Sequence, residues 1–344
     1  MKHFRLIFFV VLLSLCCFDS MAQSPELKWK ADFDFFFDNT EYARSTITND
    51  QTMAGIRLSP EVGLSWEGGH TIFAGVSALQ NFGSKNTLDE VSPIGYYRFT
   101  KPQMQFYAGI FPRKELLSNY SDFFFQDSVT YYVPTMQGLF WQIGKTDDSF
   151  FNLWLDWNGK QAPEVHEAFF IGASAYKKLN LFFVDFQSYL FHFANTDPRT
   201  PDFNVCDNAL AQLSAGIQLN NRFIFDDFLF SAGVLSGFER ERNVENQTYI
   251  PTGFVARLKA EAFHFGIDNK LYIGESRMKM YTKFGNALYW SNPFLRSDYY
   301  LQSRLYWNIF TKSTVQGRLA AVFHYSEGSL MSEQVLTLRV ALGN

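Results

Sequence analysis

Apolar and polar residues alternate along this chain with a period of two, from close to its start almost to its end. In the stretch WKADFDFFFDN (29–39), one row contains Trp29 and Phe33, and the opposite row contains Lys30 and Asp32. Successive side chains of a β-strand point to opposite faces, so this period indicates strands rather than helices. A soluble strand with its apolar row in a core and a membrane strand with its apolar row in lipid both have this pattern.

The same period predicts about sixteen strands, most of them about 9–12 residues long. That length matches a tilted strand that crosses a bilayer, whereas strands of soluble proteins usually have about five or six residues. The predicted strands are 26–38, 52–66, 70–81, 92–100, 103–111, 137–145, 149–158, 167–176, 181–194, 208–220, 226–237, 251–260, 262–274, 297–309, 313–325 and 332–343.

Short and long connections alternate between these strands. Residues 67–69 and 100–102 are short connections, whereas 112–136 and 275–296 are long ones. Outer-membrane barrels have short periplasmic turns and longer external loops, and a sandwich has no reason to sort its loops in this way. Tryptophans on the apolar row near strand ends, such as Trp157, fit an interfacial aromatic girdle. We therefore predict an all-β fold: a transmembrane antiparallel up-and-down barrel of about sixteen strands, with 14–18 also compatible.

Composition agrees with such a barrel and excludes a helical membrane protein. Aromatic residues make up 18% of the chain and charged residues 19%. The mean hydropathy is only −0.13. Beyond the first residues there is no run of about 18 apolar residues, so we expect no transmembrane helix.

The first 22 residues have the organisation of a secretory signal peptide. Lys2 and Arg5 form a basic start, an apolar stretch covers 6–18, and Ser20-Met21-Ala22 offers a cleavage site before Gln23. A lipoprotein anchor at Cys16 or Cys17 is disfavoured by the bulky Leu15. We therefore expect export by the Sec route, removal of 1–22, a single barrel domain over 23–344, and location in the outer membrane.

The polar rows, which face the lumen if the apolar rows face lipid, are rich in basic residues. Most of these residues lie on the last five predicted strands and the first, which become neighbours when a barrel closes. Arg257, Arg304 and Arg318 lie near the middles of their strands. The basic candidates are Lys28, Lys30, Arg57, Arg98, Arg257, Lys259, Lys270, Arg304, Arg318 and Arg339.

The architecture resembles that of the general porins. The resemblance rests on sixteen strands, short turns, long loops, a basic wall and the long third loop PRKELLSNYSDFFFQDSVTYYVPTMQ (112–137). It implies that the third loop folds into the lumen, so that Glu115, Asp122 and Asp127 face Arg257, Arg304, Arg318 and Arg339, and Tyr120 narrows the opening. Lys28 and Lys30 would extend the basic wall across the closing seam. The texture of the chain also resembles outer-membrane proteins of the Bacteroidota, whereas its end, Leu342-Gly343-Asn344, lacks the terminal aromatic of proteobacterial porins.

Opposed basic and acidic walls create a transverse field that favours small polar or anionic solutes. We therefore expect a porin-like outer-membrane channel for ion and solute transport. The alternative for each single charge is that it only pairs with a neighbour and holds the barrel in shape. The alternatives for the whole chain are a non-conducting adhesion or structural barrel and, less favoured, an outer-membrane lipid hydrolase.

Candidate residues for catalysis are sparse. A hydrolase site needs a serine next to a histidine that a polar group orients. His192 lies on the lipid-facing phase with Ser188 four residues before it, and this pair is a weak candidate. Cysteine and carboxylate clusters typical of metal sites are missing from the sequence, and so are Gly-rich phosphate loops. We therefore expect no enzyme activity, no catalytic residues, no metal and no cofactor.

Expected partners follow from the predicted location. They are outer-membrane lipid and lipopolysaccharide, small solutes, the barrel-assembly machinery during biogenesis and, by resemblance to the porins, two further copies in a homotrimer. Nucleic acid is not an expected partner, because the basic residues form no run.

Overall fold

The computed structural model describes residues 25–114, 116–146, 148–201 and 203–344. Within them, sixteen strands form one antiparallel sheet in which each strand pairs with its neighbours in sequence. The first strand also pairs with the last, over the register Lys30–Gly343 to Glu41–Ser332, which closes the sheet into a barrel. The predicted all-β, sixteen-stranded antiparallel barrel is therefore confirmed.

The strands agree in order with those predicted from the period of two, and their bounds differ by a few residues. They are β1 (Glu26–Glu41), β2 (Gln51–Trp66), β3 (His70–Asn81), β4 (Glu90–Lys101), β5 (Met104–Pro112), β6 (Thr135–Lys145), β7 (Ser149–Gly159), β8 (Ala168–Leu179), β9 (Phe182–Phe193), β10 (Cys206–Arg222), β11 (Phe225–Glu241), β12 (Thr252–Ala262), β13 (Phe265–Gly274), β14 (Tyr299–Lys312), β15 (Val315–Ser326) and β16 (Ser329–Gly343). A two-residue segment, Thr248–Tyr249, extends the pairing of β11.

One end of the barrel, here called the turn end, has both chain termini of the barrel and the short connections. Gly68 and Gly69 illustrate these turns. Both have positive φ values, 86° and 91°, which residues with a Cβ atom rarely adopt. The long connections lie at the opposite end, here called the loop end. One connection there is short: β15 and β16 are joined by only Glu327 and Gly328, whereas the predicted strands 313–325 and 332–343 leave six residues between them.

In the part of the chain that the structure describes, the helices lie within two of the long connections. They are α1 (Asp127–Tyr132), α2 (Tyr281–Leu288) and a 3-10 turn (Pro293–Arg296). Across the described residues, no helix has the length and apolar character needed to cross a membrane. Residues 1–22, the expected signal peptide, lie outside the described residues.

The two faces of the sheet differ as the alternating pattern requires. Large apolar side chains on one row of each strand are exposed on the outside, among them Leu139, Leu153, Ile171, Leu190, Leu213 and Phe230. Side chains on the other row point inward and bury a mixture of aromatic and polar groups, for example Phe140, Asn152 and Asp156. The outer apolar rows form the band that faces lipid in an outer-membrane barrel.

Candidate functional site

The third long connection runs inside the barrel rather than over its rim. We call residues 113–134 the inner segment. Asp127 of this segment lies 2.7 Å from Arg304 on β14, and Asp122 lies 2.8 Å from Lys270 on β13. The Tyr120 hydroxyl donates to the Ser188 carbonyl at 3.0 Å, and burial raises the pKa of this tyrosine.

The basic wall expected from the sequence is divided among several partners. Arg304 faces the inner segment as described, whereas the other wall arginines contact groups of the barrel itself. Arg257 binds Asp268 with two hydrogen bonds of 2.9 and 2.8 Å. Arg339 lies 3.3 Å from Asp32, and Arg318 donates to Asn308 at 2.7 Å.

The other residues predicted from the sequence to line the lumen each have separate contacts. Lys28 pairs with Glu26 at the turn end, and the Lys30 ammonium lies 4.9 Å from the centre of the Phe73 ring. Glu115 lies outside the described residues. The roles of the wall residues and of the inner segment in a constriction stay predictions.

A second long connection, residues 275–298, packs against the inner segment and fills the loop end. Its Arg277 is fully buried beside the equally buried Glu239, 3.6 Å away. The same Glu239 carboxylate accepts hydrogen bonds from the backbone of Met278 and the hydroxyl of Tyr289. Together the two connections place an almost fully buried core of aromatic and leucine side chains inside the barrel: Phe123, Phe124, Leu288, Tyr289, Phe294 and Leu295.

Cavities lie on both sides of α1. On the loop side, a cavity of about 110 Å³ is lined by Asp127 and Ser128 of the helix. On the turn side, a larger cavity of about 480 Å³ is lined by Thr130 and Tyr131. The helix α1 therefore stands between an upper and a lower compartment of the lumen.

A different group of polar residues lies on the outside of the barrel wall. His192 is the penultimate residue of β9, and its register partner Asp207 is the second residue of β10. Asp207 pairs in turn with Arg240, the penultimate residue of β11. Because register partners share a face and His192 shares its phase with the exposed Leu190, these side chains lie on the lipid-facing row at the loop end. We call His192, Asp207, Arg240 and Arg242 the outer-rim cluster.

Contacts within the outer-rim cluster are centred on the carboxylate of Asp207. Arg242 binds it in a bidentate manner, at 2.8 Å from each oxygen, and Arg240 donates at 2.9 Å. These hydrogen bonds raise the pKa of Arg242. The His192 ring nitrogen Nδ1 lies 3.4 Å from Asp207 Oδ1, a long hydrogen bond that leaves Nε2 without a partner among the described residues.

An aromatic shelf continues from His192 around the outside of the barrel. The Phe169 ring stacks on His192 with 4.8 Å between ring centres, and Trp157 stacks on Phe169 at 4.9 Å. Aromatic rings of this kind are typical of the boundary between the apolar core of a bilayer and its headgroups. The outer-rim cluster therefore lies at the level of the lipid headgroups.

The Ser188–His192 pair suggested by the sequence does not form. A strand rises by roughly 3.3 Å per residue, so residues four apart are about 13 Å apart. Ser188 instead donates to the Ala173 carbonyl at 3.1 Å. Among the described residues no hydroxyl or thiol hydrogen-bonds to His192, and no group of three or more His, Cys, Asp and Glu side chains could hold a metal ion.

Sequence reasoning missed Asp207, Arg240 and Arg242 as members of a site. The available signal was their phase: Asp207 and Arg240 are charged residues on rows that consist mostly of apolar residues. Strand register, which the sequence alone does not provide, is what brings them to the same height as His192.

A comparison with protein families gives a match over almost the whole chain. Residues 20–342 match the family described as lipid A 3'-O-deacylase-type. The chain belongs to this family. The expectation that the chain is not an enzyme is therefore wrong, because the family that it belongs to is an enzyme family. Spacing along the sequence does not show which side chains separate strands bring together, and the outer-rim cluster is an example of such a grouping.

Solved structures similar to this one are outer-membrane barrels. A loop L8 deletion mutant of OmpT, an outer membrane protein of Vibrio cholerae, is 9% identical with a TM-score of 0.55, and the alignment covers 93% of this chain and 100% of that one. An anion-selective porin from Comamonas acidovorans is 10% identical with a TM-score of 0.55, covering 93% and 99% of the two chains. At these identities the likeness shows the porin-like fold alone. No curated protein matches the sequence.

Proposed function

We propose that this protein is an outer-membrane esterase that removes an ester-linked acyl chain from lipid A. Membership of the lipid A 3'-O-deacylase-type family supports the reaction class. The observation that carries the proposal is the outer-rim cluster, which places a histidine, a carboxylate and two arginines on the lipid-facing side of the wall at headgroup level. An enzyme acting on a membrane lipid needs its reactive groups on that side.

His192 is the residue suited to act as general base. The imidazole is oriented by Asp207 through Nδ1, so that Nε2 is available to take a proton from a water molecule that attacks the ester carbonyl. We infer that the nucleophile is water and that no acyl-enzyme forms, because His192 has no hydroxyl or thiol partner in the described part of the chain. After collapse of the tetrahedral intermediate, the same imidazolium returns the proton to the departing alkoxide.

The arginines are suited to bind the anionic headgroup and the developing oxyanion. The side chains of Arg240 and Arg242 are 40% and 44% exposed although both contact Asp207. Each guanidinium has five N–H donors, so donors remain for phosphate or oxyanion oxygens. The aromatic shelf formed by Trp157 and Phe169 would lie beside the sugar or the first carbons of the acyl chains.

The proposal is tested with purified protein in vesicles that contain lipid A, with fatty acid release followed by mass spectrometry. We expect the wild type to release a fatty acid and His192→Ala to lower kcat by about 10²–10⁴-fold, the usual contribution of a general base. Ser188→Ala is the matched control on the same face of β9, and it should leave the rate unchanged.

The outcomes separate the function from the site. If the wild type releases no fatty acid from lipid A, the proposed function is wrong. If His192→Ala is as active as the wild type, the function stands and the outer-rim cluster is not the active site.

A second candidate function is passage of small polar or anionic solutes through the lumen. The observation that favours it is the pair of cavities on opposite sides of α1. The ion pair between Asp127 of α1 and Arg304 of β14 holds the helix in its position between these cavities. Disrupting that ion pair should release α1 from the β14 wall and join the two compartments.

Planar-bilayer recordings test this second function. We expect Asp127→Asn to raise the single-channel conductance severalfold above that of the wild type. Asp227→Asn, which breaks the Lys259–Asp227 pair on the same inner wall without touching the inner segment, is the control. Equal conductance of Asp127→Asn and the wild type would contradict a gating role for α1.

A further inference from the structure

The lower compartment of the lumen is a cavity on the turn side of α1. This turn-end cavity measures about 480 Å³ and extends from Tyr131 of α1 down to Thr311 and Gln316, which flank the β14–β15 turn. Cavities of this size commonly hold a small organic molecule. Short turns face the periplasm in outer-membrane barrels, so the cavity is placed to take solutes from the periplasm.

Basic groups around the turn-end cavity outnumber acidic ones, and most of them already have a carboxylate partner. These pairs are Lys114 with Asp34, Arg113 with Asp156, Arg339 with Asp32, and Arg57 with Glu90. Arg318 differs from them, because it forms no ion pair in the described part of the chain. It is therefore the cavity cation whose charge is not neutralised by a direct carboxylate contact.

The guanidinium of Arg318 is held rigidly from one side. Its Nε donates to Asn308 at 2.7 Å, and its carbon lies 4.4 Å from the centre of the Tyr306 ring. Both supporting residues are themselves fixed by Glu261, which accepts 2.9 Å hydrogen bonds from the Asn308 amide and the Tyr306 hydroxyl. Glu261 thus orients the groups that hold Arg318 without binding Arg318 directly.

This arrangement leaves the two terminal nitrogens of the guanidinium available to bind a ligand. Within the described residues, the two terminal nitrogens of Arg318 have no hydrogen-bond acceptor, and the residue lines the cavity. Two parallel N–H groups match the two oxygens of a carboxylate or phosphate, and a preorganised guanidinium loses little entropy on binding them.

We propose that the turn-end cavity is a receptor for a small organic oxyanion, of the size of a sugar phosphate or sugar acid, which binds to the terminal nitrogens of Arg318. The cavity is inside the barrel near the turn end, whereas the outer-rim cluster is outside the wall at the loop end. The receptor site is therefore separate from the proposed lipid hydrolysis, and neither requires the other.

Isothermal titration calorimetry of the full-length folded barrel in detergent tests the receptor. The probes are glucose 6-phosphate, gluconate and glucose, which share a sugar-like size and differ in the oxyanion. We expect saturable binding of at least one of the two anions and none of glucose. Which of the two anions binds with the higher affinity distinguishes a phosphate receptor from a carboxylate receptor.

Variants locate the binding at Arg318. Arg318→Gln should weaken the preferred anion at least tenfold, and Arg318→Lys, which keeps the charge but loses the paired donors, should weaken it severalfold. Lys259→Gln removes a lumen cation that does not line the cavity and should leave affinity unchanged. His192→Ala should also bind as the wild type does, which separates this site from the proposed hydrolysis. Heat-modifiable gel mobility confirms that each variant is folded.

Three results would overturn the receptor. One is the absence of saturable binding of both anions to the folded wild type. Another is an Arg318→Lys or Arg318→Gln protein, folded by the mobility criterion, that binds the anion as tightly as the wild type. Equal binding of glucose and glucose 6-phosphate would likewise exclude recognition by an oxyanion.

Discussion

Ion pairs of this barrel differ in burial, and burial decides how much each pair contributes to the free energy of unfolding. Arg113 of the inner segment and Asp156 of β7 bind each other with side chains that are almost or completely buried. Lys28 and Glu26 pair at the turn end, with Glu26 mostly exposed. A buried charge that loses its partner has no water to replace it, whereas an exposed one is solvated at once.

The buried pair is therefore expected to dominate stability at the residue scale. Asp156→Ala should lower the free energy of unfolding by about 3–5 kcal/mol, because the Arg113 charge is left buried. Glu26→Ala should change it by less than about 1 kcal/mol. Urea unfolding in detergent, followed by tryptophan fluorescence, measures both variants, and similar midpoints for the two would contradict this ranking.

Side-chain partners are the part of the site that the sequence could not predict. Alternation assigns Arg257 and Asp268 to the lumen, but only the register of β12 and β13 makes them neighbours. The inner segment is similar: Asp122 contacts Lys270, not one of the wall arginines, because its position depends on how residues 113–134 fold inside a finished barrel. Pattern alone contains no information on such long-range choices.

At the scale of elements, a wall tryptophan is one of the residues that anchor the inner segment. The Trp154 indole on β7 donates to the Tyr120 hydroxyl at 2.9 Å. Gly172 on β8 permits this position, because a Cβ there would lie 2.1 Å from the Trp154 ring. The absence of a side chain at one strand residue thus positions a segment that is distant in sequence.

Substituting Gly172 should therefore loosen the inner segment. Gly172→Ala should lower the free energy of unfolding by about 1–3 kcal/mol, as overpacking does, and should speed protease cleavage within residues 113–134. Gly95→Ala is the matched control, since a Cβ at Gly95 would meet nothing within 4 Å. Limited proteolysis of the protein in vesicles reports the effect, and equal cleavage of the two variants would argue against the anchor.

Elements themselves were largely predictable, for a physical reason. A strand that separates lipid from a polar lumen must alternate over its full length, so β1 to β16 each have the signal. The helices α1 and α2 are short and inside the lumen, where no such constraint applies. Neither helix was predicted.

At the scale of the whole molecule, closure depends on the seam between β1 and β16. Phe35 and Leu338 are direct register partners across this seam. Opposite residues of antiparallel strands have Cα atoms about 4.5–5.5 Å apart, within the range for a disulfide, whereas diagonal neighbours are about 7–8 Å apart.

The seam register can thus be tested by cross-linking. A Phe35→Cys/Leu338→Cys variant should oxidise to a disulfide, whereas Phe35→Cys/Val340→Cys should remain largely reduced. Labelling with a maleimide of high mass shows the number of free thiols as a shift on a gel. The buried Cys206 is a background common to both double variants. Efficient cross-linking of the diagonal pair would indicate a register different from the one described.

If lipid A is hydrolysed at the outer-rim cluster, as proposed, the outward direction of His192 has a kinetic consequence. A reactive group on the lipid side meets its substrate by lateral diffusion in a plane, and both the lipid that arrives and the lipid that leaves stay within that plane. The rate should accordingly depend on the mole fraction of lipid A in the vesicle surface rather than on its concentration in the bulk. Diluting the substrate with inert phospholipid should slow the reaction even when the total amount of lipid A is held constant.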